Sequence, residues 1–299
     1  MKTSKIYLAL MVALIACSLT FSSCRKSEKT PAVEPDLEQS TATDNNVAEV
    51  IALDIEAIAS HVAESGTLTT YMTSCAAVLS NTVAKTYTVD FGTTGCLGTD
   101  GRTRTGKLFF DYSGSNPTTA TRYRNPGFKL VVTSSNYVVD GNAVTITSKT
   151  ITNTTSPVAP AGTNLTWSIT ANISIAKASN GGTLSWSCNR IKELTTSYWP
   201  CYFSQAAAID WTIAKVRFNG TAIGTNAKGE SFTATANNLV KDFNCAPDVT
   251  KPKRHPFISG RITYVPGARS ERRIDFGTGT CDFNGTVTIN GQSWPFILP

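Results

Sequence analysis

From Leu165 to Ile175 apolar and polar residues alternate without a break. Leu165, Trp167, Ile169, Ala171, Ile173 and Ile175 fall on one side, and Thr166, Ser168, Thr170, Asn172 and Ser174 on the other. A period of two sends successive side chains to opposite faces of a strand. Alternation this strict, with one polar face, belongs to antiparallel sheets that are wet on one side. Weaker alternation marks further strands near 86–91, 106–112, 127–134, 143–152, 183–188, 210–219, 230–236, 258–265, 270–276 and 285–298. Pairs such as Asp140-Gly141 and Asn290-Gly291 suit the positive φ angles of tight hairpins. The expected fold is mainly β, an antiparallel meander or sandwich.

One segment follows a different rule. Val47, Val50, Ile51, Ile55, Ile58 and Val62 recur at spacings of three and four, with Asp44 or Asn45 as a cap and Gly66 as a stop. The spacing predicts one N-terminal amphipathic helix over 44–66. Before it, residues 25–43 combine Pro, Ser, Thr and charge with few apolar groups, the composition of a flexible tether.

The first residues read as an export signal: Lys2 and Lys5 precede an apolar run from Ile6 to Ala16, too short to span a bilayer. Two cysteines compete for the role of lipid anchor. Leu14-Ile15-Ala16-Cys17 fits the usual lipobox, whereas Phe21-Ser22-Ser23-Cys24 has Phe in place of Leu. Cys24 is preferred, because the polar tether starts directly at Arg25. Cysteine parity agrees, since of 8 cysteines this choice leaves an even six for an oxidising compartment. The expected organisation is a signal peptide over 1–23, anchor and tether over 24–43, the helix over 44–66, a β region over 67–244 and a C-terminal β unit over 245–299. Without Lys2 and Lys5, 25 basic residues stand against 21 acidic ones, a mild balance that gives no nucleic-acid footprint.

Thr88-Val89-Asp90-Phe91-Gly92 leads to Cys96, and Arg273-Ile274-Asp275-Phe276-Gly277 leads to Cys281, a weak internal repeat of two strand ends. Matching them makes Cys96 equivalent to Cys281. Each has one cysteine upstream, so Cys75 is expected to pair with Cys96, Cys245 with Cys281, and the remaining Cys188 with Cys201. Kinase chemistry at the Asp-Phe-Gly triplets has no support, because no phosphate-binding glycine loop or His-Arg-Asp motif accompanies them. Their simpler role is structural: Phe packs inward, Gly turns, and Asp accepts from nearby amides.

The lipobox, the tether, the early helix, the stretch over 90–114, the phrase over 139–153 and the ending over 272–291 together resemble a group of uncharacterised outer-membrane lipoproteins common in Bacteroidota. The resemblance implies attachment to the cell envelope at the outer membrane, facing either the periplasm or the surface, with the membrane met through the N-terminal lipid. It carries no activity and no site residues. The segment from Tyr198 to Phe203 departs from the group.

Chemistry is sparse elsewhere. His61 and His255 lack a triad setting, and neither metal-ligand spacing nor a cofactor motif occurs. Asp90, Asp111, Asp210, Glu230 and Asp275 supply the acids that a glycan hydrolase with paired carboxylates would need, which is the alternative reading. Tyr198, Trp199, Tyr202 and Phe203 crowd four aromatic rings into six residues and are the candidate contacts for a glycan or protein partner. Arg102, Arg104, Lys107, Arg122 and Arg124 read as a solvated basic hairpin face, or as a contact for acidic polysaccharide or lipid headgroups. The expected function is non-catalytic binding or scaffolding in the envelope.

Overall fold

A computed structural model describes residues 36–68, 75–158, 163–196 and 209–298. Helix α1 (Ser40–Ser65) is followed by strands β1 (Ala77–Asn81), β2 (Thr86–Asp90), β3 (Cys96–Leu97), β4 (Thr103–Asp111), β5 (Lys129–Val139), β6 (Asn142–Asn153) and β7 (Thr166–Ala176). The order continues with β8 (Thr183–Leu194), β9 (Lys215–Thr225), β10 (Ser231–Asp242), β11 (Phe257–Pro266), β12 (Arg272–Thr278), β13 (Asn284–Ile289) and β14 (Gln292–Ile297). Among the described residues 14 strands form one sheet in the order β1-β2-β4-β5 and onward through β14, with β3 added beside β4. Every neighbouring pair is antiparallel, so the sheet is a meander. The mainly β architecture, with one α-helix near the N-terminus among the described residues, is the one that the residue patterns call for.

Side-chain alternation sets the register. In β7, Trp167, Ile169, Ala171, Ile173 and Ile175 are buried, and the strand pairs with β8 without a slip from Thr166 opposite Glu193 to Ala176 opposite Thr183. Asp140-Gly141 and Asn290-Gly291 turn with positive φ at both residues, at 50° and 78° and at 50° and 79°, closing two-residue hairpins. The second hairpin divides the expected strand over 285–298 into β13 and β14. The expected boundary at 245 is crossed by sheet pairing, since β10 and β11 are joined from Phe232 opposite Pro266 to Lys241 opposite Phe257. Residues 36–299 form one compact unit.

Bulges bend this long sheet. At Gly106, between Thr105 and Lys107, the β4–β5 register shifts. A Cβ there would sit 2.0 Å from the Asn136 carbonyl oxygen, and φ is +80°, so only glycine fits. Gly260 stands in the same relation to Asn238, with a built Cβ 2.2 Å from the Asn238 oxygen. Both asparagines have φ of 50°.

The curled sheet surrounds α1, so that the helix is buried on its polar sides as well as along its apolar stripe. Ile51, Ile55, Ile58 and Val62 are buried, but so are Asp44, Asn45, Asn46, Glu49, Asp54, Glu56 and Glu64 on the other sides. The helix also begins earlier than expected. Asp44 and Asn45 lie inside it, and the Glu38 carboxylate accepts the Thr41 amide at 3.2 Å and the Thr41 hydroxyl at 2.9 Å. Burial works to raise the Glu38 pKa, but hydrogen bonds from Ser40, Lys228 and Thr41 outweigh it and hold the carboxyl at about 2. Gly66 ends the helix as expected, in the left-handed conformation with its N–H donating to the Val62 carbonyl at 2.8 Å.

A buried carboxylate persists only when it is paired. The partners here come from the inner face of the sheet. Glu49 meets Arg190 of β8, Glu56 meets Lys192 of β8 at 2.8 Å, and Asp54 shares Arg104 of β4 with Asp100. Glu64 meets Arg124 from the segment between β4 and β5, and Asp44 meets Lys177 at 2.5 Å beyond β7. The Lys149 ammonium of β6 donates to the Ala52 carbonyl at 3.2 Å. The basic stretch is therefore not a solvated hairpin face: Arg104 and Arg124 are fully buried and Arg102 nearly so. Lys107 alone keeps the expected exposed setting, 2.8 Å from Asp90.

Two disulfides form as expected, Cys75–Cys96 and Cys245–Cys281. The third does not. Cys188 is a buried free thiol, because it occupies an inward position of β8 in register with Trp186 and Arg190, beside Glu49 and Lys149. Burial, with Glu49 adding to it, pushes this thiol up to about 11. Cys201 lies outside the described residues, as do Cys17 and Cys24.

Candidate functional site: a basic cavity beside the helix

The two Asp-Phe-Gly strand ends are structural. Phe91 and Phe276 are buried, Gly92 and Gly277 have φ of 72° and 87°, and each glycine amide donates to the preceding aspartate, at 2.9 and 3.0 Å. Asp90 faces Lys107 across β2–β4, and Asp275 faces Arg261 across β11–β12 at 3.0 Å. The other acids considered for hydrolysis are likewise held locally. Asp111 accepts the Ser113 amide, Asp210 the Thr212 amide, and Glu230 the Arg269 guanidinium at 2.6 Å. Tyr198, Trp199, Tyr202 and Phe203 lie outside the described residues. Among the described residues no group of three His, Cys, Asp or Glu is placed to hold a metal ion, and no helix is long and apolar enough to cross a membrane.

What the strands and the helix do create is a cavity of about 70 Å³, between the middle of α1 and the region from β8 to β11. Its apolar walls include Phe218, Phe243, Phe257 and Phe283. Its charged lining has five cations, Arg102, Lys192, Lys241, Lys253 and Arg254, against three carboxylates, Asp54, Glu56 and Asp100. The cations fall into two classes. Arg102 lies 2.8 Å from Asp140, and Lys192 lies 2.8 Å from Glu56. Lys241, Lys253 and Arg254 have no carboxylate within ion-pair distance among the described residues. Lys241 rests over the Phe257 ring at 5.6 Å and Arg254 over Phe283 at 5.5 Å, so ring faces stand where carboxylates would otherwise be. The Arg254 Nε is buried without a hydrogen-bond partner.

The field of these groups reaches the nearby bases. Burial, reinforced by Arg102 and Lys192 against the opposing pull of Asp54 and Glu56, lowers the Lys241 ammonium to about 8. His255 donates from Nδ1 to the Cys245 carbonyl at 2.8 Å and packs edge-on against Phe243. Burial lowers it to about 4, with Lys241 and Lys253 assisting against the Cys245 bond and Asp242. His61 on α1 is lowered to about 4 by burial and then by Lys253, Lys192 and His255. Both imidazoles are neutral at pH 7. Burial is the main cause for all three bases, and the surrounding cations add to it.

Lys192 sits deeper, in a cage of its own. Its ammonium donates to Glu56 and to the Tyr123 hydroxyl at 3.1 Å, and lies 5.1 Å from the Tyr123 ring, 5.3 Å from Trp167, 5.1 Å from Trp211 and 5.9 Å from Phe218. Tyr123 and Trp167 stack at 4.9 Å, and the Trp167 indole donates to the Tyr123 carbonyl. This cluster fixes one wall of the cavity. No protein-family model matches the chain, and no curated protein or solved structure is significantly similar to it.

The residues of the cavity are scattered over α1, the segment before β4, β8, β9, β10, the segment leading into β11, and Phe283 just before β13. No local motif in the sequence connects them. The one local signal is Lys251-Pro252-Lys253-Arg254-His255-Pro256, a run with three cations in six residues. It reads as a charged loop until the fold sets it against the helix.

Proposed function

We propose that this protein is an envelope lipoprotein, held to a membrane by a lipid on Cys24, that binds the anionic end group of a larger molecule without transforming it. The observation that carries the reading is the set of three cations, Lys241, Lys253 and Arg254, that face a phenyl-lined cavity with no carboxylate at ion-pair distance among the described residues. The room, about 70 Å³, is roughly five water-sized spheres, enough for a carboxylate, sulfate or phosphate group and too small for a whole sugar or acyl chain. The apolar walls suit a ligand whose body follows the charged group, such as an acidic saccharide or an aryl acid. Export is supported by the signal-like N-terminus and by two disulfides, which persist in oxidising compartments.

Calorimetric titration of the purified chain with benzoate, glucuronate and phenyl phosphate, beside neutral benzyl alcohol, tests the reading. The anions are expected to bind and the alcohol not. Lys241→Met is expected to weaken the anions at least fivefold. Binding of the alcohol as tight as that of benzoate would remove the role of charge and with it this proposal.

A further inference from the structure

We infer that the cavity is matched to a dianionic end group, a phosphate monoester in preference to a singly charged sulfate ester or carboxylate. This inference rests on the end-group reading above and goes beyond it in naming the charge that the site completes.

Side-chain charges around the cavity do not cancel. Arg104 lies between Asp54 and Asp100, Arg102 takes Asp140, and Lys192 takes Glu56, so three cations meet four carboxylates. Lys241, Lys253 and Arg254 add three more cations, and one of them offsets the fourth carboxylate. An excess of two positive charges remains. The acids slightly farther out leave it unchanged, because Asp242 pairs with Lys215 and Asp248 with Lys251, each at 3.0 Å. His61 and His255 are neutral at pH 7 and add nothing to the count.

Buried or half-buried charge without a counter-charge is unfavourable, and a ligand that supplies two negative charges neutralises this site where a monoanion leaves one cation exposed to its neighbours. The donors also fit a tetrahedral oxyanion. The unpartnered Arg254 Nε offers one edge of its guanidinium, and two ammonium groups supply point charges that need no fixed direction. A phosphate monoester carries close to two charges at pH 7.5, since its second pKa is about 6. An aryl sulfate has the same shape and one charge.

Phenyl phosphate and phenyl sulfate therefore separate charge from shape. Calorimetric titration of the full chain at pH 7.5 and low salt is expected to give phenyl phosphate at least tenfold the affinity of phenyl sulfate. At pH 5.0, where the phosphate ester is mostly monoanionic, the ratio is expected to fall below threefold. Lys253→Gln and Arg254→Gln, both at partly exposed positions, are each expected to lower the pH 7.5 ratio while leaving the melting temperature within a few degrees. Equal affinities at pH 7.5, or tighter sulfate, would overturn the dianion inference and leave anion binding intact. Failure of both esters to bind at millimolar concentration would overturn the end-group reading itself.

Discussion

Lys192 on β8 holds its ammonium 2.8 Å from the Glu56 carboxylate of α1, and both side chains are about 4 % exposed. The pair joins helix to sheet inside an aromatic cage and is one of a series that ties α1 to its surroundings on several sides. A buried ion pair adds little net stability, because desolvation cancels most of the attraction, yet removing one member strands the other. Lys192→Met is therefore expected to cost about 3 to 5 kcal/mol in denaturant unfolding. The double change Lys192→Met with Glu56→Leu is expected to recover at least half of that loss. Additive losses in the double variant would show that the two residues act separately.

The disulfides lead to a second expectation. Cys75–Cys96 and Cys245–Cys281 span 21 and 36 residues, and closing loops of this length contributes roughly 3 to 4 kcal/mol each in the chain-entropy model. Peptide mapping without reduction should recover both crosslinks. Cys188, buried and with its thiol pushed up to about 11, should resist alkylation in the native chain and react only after unfolding. Rapid native labelling of Cys188 would contradict its inward placement on β8.

Much of this architecture is legible in the residues, and the parts that are not share one cause. β7 is read correctly because its inward side chains are apolar throughout. β8 is longer than its expected span over 183–188. It continues to Leu194 with Arg190 and Lys192 pointing inward, and these charges interrupt the apolar alternation that a sequence reading follows. The same cations are the partners of Glu49 and Glu56, whose acidic side chains give α1 its apparently wet face. Charge normally marks the surface, so a core built partly from matched charges hides both a strand end and the burial of a helix. The Asp-Phe-Gly ends, where Phe, Gly and Asp keep their ordinary roles, are read correctly along with the two disulfides that follow from them. The cavity is not, since its cations become neighbours only through the sheet.

Acid should unfold the protein partly through its histidines. His61 and His255 are held near pKa 4 in the folded chain, below the ordinary value of 6.5, so the unfolded chain binds more protons between these values. Stability is then complete above pH 6.5 and is lost as pH falls toward 4. Each imidazole contributes on the order of 2 to 3 kcal/mol over that window. Replacing His61 or His255 by Gln should flatten the dependence of denaturant midpoint on pH between 6.5 and 4. An unchanged slope in both variants would show that the rings are protonated without cost in the folded chain.

Anchoring is tested independently of the cavity. With the polar tether starting at Arg25, Cys24→Ser is expected to move the protein from the membrane to the soluble envelope fraction. Release by Cys17→Ser instead would reassign the lipid.

Lys241 connects stability to the proposed site. Its ammonium is lowered to about 8 chiefly by burial, with Arg102 and Lys192 acting in the same direction and Asp54 and Glu56 against it. A base whose folded pKa lies below its unfolded value of about 10.5 destabilises the fold wherever the unfolded chain is the more protonated, and the full cost is felt below pH 8. Lys241→Met keeps the aliphatic stem over Phe257 and removes the charge, so it is expected to stabilise the chain by about 1 to 3 kcal/mol at pH 7. The gain should shrink as pH rises from 8 to 10.5, where the folded lysine is already neutral. An anion is what this cation lacks, since it rests over the Phe257 ring with no carboxylate at ion-pair distance among the described residues. Addition of phenyl phosphate should accordingly raise the melting temperature of the unaltered chain more than that of Lys241→Met. Destabilisation by Lys241→Met at pH 7, with equal ligand shifts in both proteins, would show that the ammonium is satisfied by its present surroundings and is no part of a binding site.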